Sequence, residues 1–219
     1  MNAVPVIAID GPSASGKGTV AQLVALALGF HYLDSGSLYR LVALAALRSG
    51  VAMDDEGQLV AIAASLDARF APGEVRLAGE SVTEAIRDED CSNGASRVAA
   101  WPGVRSALIG RQRAFRRAPG LVAEGRDMGS VVFTDSGLKV FLTGTVEARA
   151  ERRYKQLKGK GISAALSILL QDLRERDARD AARGVAPLKQ CPDARLLDTT
   201  AMSAAEAAER ILAWYRGAR

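Results

Sequence analysis

Residues 11–19, Gly-Pro-Ser-Ala-Ser-Gly-Lys-Gly-Thr, have the types and spacing of a phosphate-binding loop. An apolar run at 4–9 precedes them and an apolar-periodic segment at 20–28 follows, which predicts a buried strand, a glycine-rich turn and a helix. In that order, successive backbone N–H groups face an anion, and the helix start adds the positive end of its dipole. Lys17 adds a full positive charge. The segment therefore predicts a site for a polyphosphate.

The loop departs from the pattern G-x-x-x-x-G-K-[ST] at one position. Gly18 stands where the pattern has Ser or Thr, and the hydroxyl comes one residue later, at Thr19. This removes the usual direct side-chain ligand of magnesium, so we expect the ion to be held through water, with Thr19 or Ser15 donating to phosphate oxygens. The residues expected to bind the phosphates of ATP are Gly11, Ser13, Ala14, Ser15, Gly16, Lys17, Gly18 and Thr19.

Strand and helix patterns alternate along most of the chain. Apolar runs at 30–33, 121–123 and 138–142 predict strands, and a short strand is expected at 195–197. Such alternation is typical of an α/β fold with a parallel sheet and helices on both faces. Ligands of these sheets lie outside the carboxyl ends of the strands. We therefore expect the turns at 11–19, 34–36, 124–127 and 143–145 to converge on one cleft.

One region breaks the α/β pattern. Residues 67–70, 74–77 and 80–82 alternate with period two, with turn signals at Pro72-Gly73 and Gly79, which predicts a small antiparallel insert. Helical patterns are expected at 38–47, 58–66, 96–117 with an interruption near Pro102, 163–180 and 204–216. Ser203 and Glu206 have the spacing of a capping box for the last of these helices.

Composition limits the classes of protein. The chain has 219 residues, 48% of them hydrophobic and 25% charged, which is typical of a globular protein with one sizeable core. Cys91 and Cys191 are too few for a disulfide framework or a zinc site, so free thiols are expected. We expect no signal peptide and no membrane span, and hence a cytoplasmic protein. Arginine makes up 23 of the 29 basic residues, and its planar fork suits anionic substrates. The basic segment at 111–117 lacks a nucleic-acid motif, so no nucleic-acid partner is expected.

Five motifs in order resemble the bacterial cytidylate kinase family, over essentially the whole chain. They are the loop at 11–19, Asp34-Ser35-Gly36 with Tyr39-Arg40, Gly125-Arg126-Asp127-Met128-Gly129, Arg176-Asp177 with Arg179-Asp180, and Arg183 with Ala186-Pro187-Leu188. The chain differs from the family at Ala14-Ser15-Gly16, where Gly-Ala-Gly is usual, and at Glu124, where Asp is usual. Glu124 is one methylene longer than Asp, so its contact with a magnesium-bound water could differ.

The resemblance implies a P-loop kinase fold, with a five-stranded parallel sheet flanked by helices, an antiparallel insert and a mobile lid. We expect a single kinase domain over 1–219, with an inserted monophosphate-binding subdomain at 60–95 and a lid region at 150–185. The implied reaction is phosphoryl transfer from ATP, with Mg²⁺, to CMP or dCMP. A monomer is expected. No general base is needed, because a 5′-phosphate is largely a dianion at pH 7. The lone histidine, His31, is therefore expected to be a packed residue of the second strand.

The resemblance also assigns roles to individual residues. Lys17, Arg126, Arg149 and Arg153 are the expected catalytic cations: Arg149 and Arg153 reach the transferring phosphoryl group, and Arg126 clamps the acceptor phosphate with Arg40. The base would be contacted by Ser35, Arg105, Asp127 and Arg183, and the sugar by Ser96, Arg176 and Asp180. A carboxylate accepting from the amino group of cytosine favours that base over uracil.

Other interpretations remain open from the sequence. Each arginine could be a surface helix charge, Asp127 could cap a strand end, and Arg176, Asp180 and Arg183 could form a solvated ladder on one helix face. The chain could instead be another P-loop kinase acting on UMP, AMP or an alcohol, although an alcohol would need a base. A regulatory nucleotide switch or ATPase is the third class, but the Asn-Lys-x-Asp sequence that a guanine-specific switch needs is missing.

Overall fold

The computed structural model describes residues 4–71 and 73–217. The chain divides into two compact units. The first comprises Met1–Leu33 and Phe115–Arg219, and the second is Asp34–Ala114. Pro72, half of the expected Pro72-Gly73 turn, lies outside the described residues.

A parallel sheet forms the centre of the first unit. Its order is β2-β6-β1-β7-β8, so the first strand of the chain is central. Ile7 on β1 is opposite Val122 on β6 and Leu138 on β7, which fixes the register of the central strands. The five strands of the described sheet are β1 (Val6–Asp10), β2 (His31–Asp34), β6 (Leu121–Gly125), β7 (Leu138–Thr143) and β8 (Arg195–Asp198).

The central strands are buried along their whole length. All five residues of β1 and all five of β6 are buried, as expected for parallel strands covered on both faces. Val20 and Val24 of α1, with Ile211 and Tyr215 of α8, pack into the same core. The helices of this unit are α1 (Lys17–Leu28), α6 (Val146–Gly159), α7 (Leu166–Ala181) and α8 (Ala204–Gly217). Met128–Val132 forms a π-helical turn.

The second unit combines helices with a small antiparallel sheet. Its helices are α2 (Ser35–Arg48), α3 (Glu56–Ala64), α4 (Glu89–Val98) and α5 (Pro102–Arg113), with a 3₁₀ turn at Ala85–Arg87. The sheet has strands β3 (Ala68–Ala71), β4 (Glu74–Leu77) and β5 (Glu80–Ser81), paired antiparallel in that order. Ala78 and Gly79 turn the chain with φ of 49° and 81°, as the glycine signal predicted.

Three local expectations were wrong. The turn expected at 34–36 is the start of α2, because the Asp34 side chain caps the helix by accepting from Ser37 N at 3.1 Å. The helical segment expected at 96–117 breaks before Pro102 as expected, but its first helix, α4, begins at Glu89 instead of Ser96 and its second, α5, ends at Arg113. His31 is exposed at the edge of β2, where its Nε2 lies 2.9 Å from the carbonyl oxygen of Ala118, so it is not a packed residue.

Two other expectations, the capping box and the free thiols, were confirmed. Ser203 and Glu206 form the capping box, with Ser203 N donating to Glu206 Oε2 at 2.8 Å and Glu206 N donating to Ser203 Oγ at 3.2 Å. Cys91 and Cys191 are free and buried. Among the described residues, the helices are all too short or too polar to cross a bilayer.

Candidate active site

The phosphate loop has a backbone that few residues can adopt. A Cβ at Gly11 would lie 2.0 Å from the carbonyl oxygen of Leu142, so only glycine fits there. Gly16, at the N-terminus of α1, has φ of 89°. Ala14 also has a positive φ, 57°, at one of the positions where the family usually has glycine. The loop therefore keeps its shape at the cost of strain at Ala14.

Lys17 is buried at the base of this loop. Its Nζ donates to the carbonyl oxygen of Pro12 at 3.1 Å and lies 3.8 Å from Glu124 Oε2. Ser15 is buried as well, and within the described part of the chain its Oγ has no hydrogen-bond partner. Thr19 is exposed on α1. A buried ammonium and an unmatched hydroxyl beside a helix N-terminus are suited to receive phosphate oxygens.

Two arginines of α6 brace the phosphate loop. Arg149, which is buried, donates to the carbonyl oxygens of Ser13 and Gly144, each at 3.0 Å. Its other nitrogen donates to Asp177 Oδ2 at 2.6 Å. Arg152, three residues along the same helix face, donates to the carbonyl oxygen of Ser15 at 3.2 Å. The guanidinium groups therefore fix the loop and place positive charge next to it.

Arg153 has a different environment from Arg149. It is half-buried on α6 and donates to Gln156 Oε1 at 2.9 Å. Arg152 was not among the predicted site residues. Its spacing of three from Arg149 on a helix that follows a strand end was the signal that could have identified it.

Asp180 connects two other predicted site residues. Its Oδ2 accepts from Arg126 Nε at 2.8 Å, and its Oδ1 accepts from Arg183. Burial raises the pKa of Asp180, but the charges of Arg126 and Arg183 outweigh burial and leave that pKa below its ordinary value. Arg183 lies past the end of α7, so the expectation that it shares a helix face with Arg176 was wrong, although its contact with Asp180 forms.

Asp127 and Asp10 lie at neighbouring strand ends. Asp127 is buried and precedes the π-helical turn. Asp10 accepts from the backbone N–H of Met128 at 2.8 Å and of Gly129 at 2.9 Å, so it anchors the turn that directly follows Arg126 and Asp127. Burial raises the pKa of Asp10 to about 6. The two N–H donors lower this pKa, but burial has the larger effect.

The second unit contains the other predicted acceptor residues. Ser35 is buried at the start of α2, and Arg40 on the same helix donates to Asp34 Oδ2 at 2.5 Å. Ser96 on α4 is buried, and its Oγ has no partner among the described residues. Arg105 is buried on α5.

Arg105 is held by contacts within its own unit. It donates to the carbonyl oxygen of Ala99 at 3.1 Å, and its guanidinium stacks over the ring of Tyr39 at 5.5 Å. Tyr39 belongs to the motif that contains Arg40, but no spacing in the sequence indicates its contact with Arg105.

The donor set suits magnesium bound mainly by a substrate. Within residues 4–71 and 73–217, no group of three His, Cys, Asp or Glu side chains is placed to hold a metal by itself. Glu124 supplies a buried carboxylate beside Lys17, and Mg²⁺ characteristically takes one or two carboxylates together with phosphate oxygens and water. The residues present therefore fit Mg²⁺ that arrives with a nucleotide.

Comparison with known proteins gives one consistent family. The family model described as cytidylate kinase matches residues 7–217. A cytidylate kinase of Chromobacterium violaceum is 60% identical over 212 residues, which cover 97% of this chain and 96% of that protein. A cytidylate kinase of Burkholderia ambifaria is 59% identical over 212 residues, covering 97% and 93%. An uncharacterized protein from Eubacterium ventriosum, 12% identical with a TM-score of 0.50, shares the fold over 96% of this chain and 97% of its own.

Proposed function

The chain belongs to the cytidylate kinase family, and we propose on that basis that it transfers the γ-phosphoryl group of ATP to CMP or dCMP, giving ADP and CDP or dCDP. The observation that carries the proposal is the buried Lys17 in a loop whose carbonyls are held by Arg149 and Arg152. Such a loop offers converging N–H groups and a fixed ammonium to a polyphosphate.

The reaction needs positioning more than proton transfer. The acceptor phosphate is largely a dianion at pH 7 and attacks without a base, so the protein must align it with ATP and offset the charge that develops on the transferring group. Lys17, Arg126, Arg149 and Arg153 are the cations proposed for this. Mg²⁺, held by ATP phosphates and by Glu124 through water, would withdraw charge from the β and γ phosphates when bound.

We propose that CMP is recognised by the residues that the family resemblance implies. Arg40 and Arg126 would bind the acceptor phosphate. The base would contact Ser35, Arg105, Asp127 and Arg183, and the sugar Ser96, Arg176 and Asp180. The unmatched hydroxyl of Ser96 supports its role, because a buried hydroxyl needs a hydrogen-bond partner.

Several further features belong to the same proposal. The subdomain at 60–95 would serve the monophosphate, and the segment at 150–185 would be a lid that closes over ATP. The enzyme would work as a cytoplasmic monomer with no nucleic-acid partner.

ADP formation with CMP, dCMP, UMP and AMP in turn tests the substrate class. We expect fast turnover with CMP and dCMP, weak turnover with UMP and almost none without acceptor. Preference for UMP or AMP, or acceptor-independent hydrolysis, would refute the assignment.

Asp127→Ala tests base recognition directly. Loss of the carboxylate should reduce the ratio of kcat/KM for CMP to that for UMP by about 100-fold, because the amino group of cytosine loses its acceptor. Asp54→Ala, an exposed carboxylate in the second unit, is the matched control and should leave the ratio unchanged. An unchanged ratio in Asp127→Ala would remove that residue from the base pocket.

A further inference from the structure

Glu124 accepts a hydrogen bond from a tyrosine. The Tyr32 hydroxyl, on β2, donates to Glu124 Oε1 at 2.9 Å, and the second carboxylate oxygen faces Lys17 Nζ at 3.8 Å. Glu124 lies on β6, the neighbour of β2, and only 7% of its surface is exposed. One oxygen is therefore anchored while the other faces the ammonium of the phosphate loop.

The carboxylate occupies the space that a side chain at position 18 would need. A Cβ on Gly18 would lie 3.0 Å from Glu124 Oε1 and 3.8 Å from the Tyr32 hydroxyl. Gly18 lies in α1, where alanine is otherwise the better helix former. Backbone conformation therefore does not require glycine here. A side chain at position 18 is disfavoured by Glu124, because the carboxylate would have to move away from position 18 while hydrogen-bonded to Tyr32.

We propose that Tyr32 is a positioning residue, and that it acts with Gly18 to keep the longer carboxylate of Glu124 aimed at Lys17 and the magnesium-bound phosphates. The bare glycine leaves room for the glutamate side chain, and the tyrosine fixes the additional torsion angle that glutamate has compared with aspartate. The inference rests on the proposed function and has two halves. The positioning half concerns how Tyr32 orients Glu124 for catalysis. The packing half concerns the contact between Gly18 and Glu124, and its prediction needs no substrate.

The packing half is tested by thermal unfolding of Gly18→Ala with and without Glu124→Asp. In the native background we expect Gly18→Ala to lower Tm by about 4 °C, because the displaced carboxylate loses its contacts. Aspartate withdraws the carboxylate by about 1.5 Å, one C–C bond, so in the Glu124→Asp background the same change should leave Tm unchanged or raise it. Equal Tm changes in the two backgrounds would overturn the proposal.

The positioning half is tested by Tyr32→Phe in the same two backgrounds. With Glu124 present, we expect the free Mg²⁺ concentration for half-maximal rate to rise about 10-fold at saturating ATP and CMP, and kcat to fall by a similar factor. With Glu124→Asp the carboxylate is already out of hydrogen-bond reach of the tyrosine, so Tyr32→Phe should change both by less than about 2-fold.

Tyr215→Phe is the matched control. It removes the same hydroxyl from another mostly buried tyrosine of the first unit, one that packs edge-on against Phe30, and should leave the Mg²⁺ requirement unchanged. If Tyr32→Phe lowers kcat equally in both backgrounds, or leaves the Mg²⁺ requirement unchanged, Tyr32 does not position Glu124. Absence of CMP kinase activity in the native protein would refute the proposed function instead, and the unfolding result would still decide the packing half.

Discussion

Asp10 should make the stability of the protein fall as pH rises from 4 to 7. Its carboxyl is 5% exposed, and burial raises its pKa from an ordinary 3.8 to about 6. A carboxyl group whose pKa is higher in the folded than in the unfolded state stabilises the fold. This stabilisation is fully present below the unfolded-state pKa and is lost as pH rises through the folded-state pKa. At about 1.4 kcal/mol for each pH unit between 3.8 and 6, the total is about 3 kcal/mol.

The assay is urea unfolding of the native protein and of Asp10→Asn between pH 4 and pH 7. Asparagine cannot titrate, so subtracting the two curves removes the contributions of all other groups. Of the total, about 2 kcal/mol should be lost between pH 4 and pH 7, since part is already lost at pH 4. The variant also loses a hydrogen-bond acceptor for the N–H of Met128 or Gly129. This loss shifts the free energy of unfolding by the same amount at every pH, so it does not change the slope of the difference against pH.

The slope of the difference curve is therefore the test. Asp54→Asn changes an exposed carboxylate in the same way and should give a curve parallel to that of the native protein. A difference between native protein and Asp10→Asn that stays constant within about 0.5 kcal/mol would refute the reasoning, because Asp10 would then have the same pKa folded and unfolded.

Three other substitutions test separate parts of the site. Asp180→Asn should lower the free energy of unfolding by about 3 kcal/mol at pH 7, because two arginines lose their counter-charge. The pKa of Asp180 is lowered in the folded protein, so this loss of stability should shrink as pH falls below about 4, which is opposite in sign to the Asp10 effect. Acid unfolding curves of the native protein and the variant measure it. Arg149→Lys should lower kcat/KM for ATP about 100-fold, because lysine cannot bond two loop carbonyls and Asp177 together, and initial rates at varied ATP measure it. Ala14→Gly should raise the free energy of unfolding by about 0.5 to 1 kcal/mol with little change in fold, since glycine adopts a φ of 57° without strain; an unchanged or lower value would show that the loop is not strained there.

The elements that sequence reasoning predicted well are those whose signal is local. The buried strand before the phosphate loop, the loop itself and the capping box at Ser203 each follow from consecutive residues, and each forms as expected. The starts of α2 and α4 were missed because Asp34 and Asp88 were not recognised as N-cap positions, although both precede the first helical residue. His31 was misjudged because β2 is an edge strand, and strand order cannot be seen from the sequence.

The site was harder to predict where contacts join residues distant in sequence. Lys17 was predicted from its motif and Arg149 from the family resemblance, but Tyr32 lies 92 residues from Glu124 and Asp10 lies 118 from Met128. No spacing rule reveals such pairs, because they depend on which strands become neighbours in the sheet. Because β6 is parallel to β1 and beside it, the carboxyl ends of both strands lie at the same edge of the sheet. Asp10 at the end of β1 can therefore bond to the turn at Met128–Val132 that follows β6.

The placement of charge in the first unit follows from one physical constraint. A site for polyphosphate needs several cations, and cations crowded without a ligand would repel one another and the helix N-terminus. In this structure Asp177, Asp180 and Glu124 each stand against one of the proposed catalytic cations: Arg149, Arg126 and Lys17 respectively. The carboxylates hold the cations in place before ATP arrives, and a bound phosphate could compete with them for the same N–H donors. If a phosphate oxygen replaces a carboxylate as the partner, each cation stays paired with an anion, which lets a site stay folded when empty and still bind a highly charged ligand.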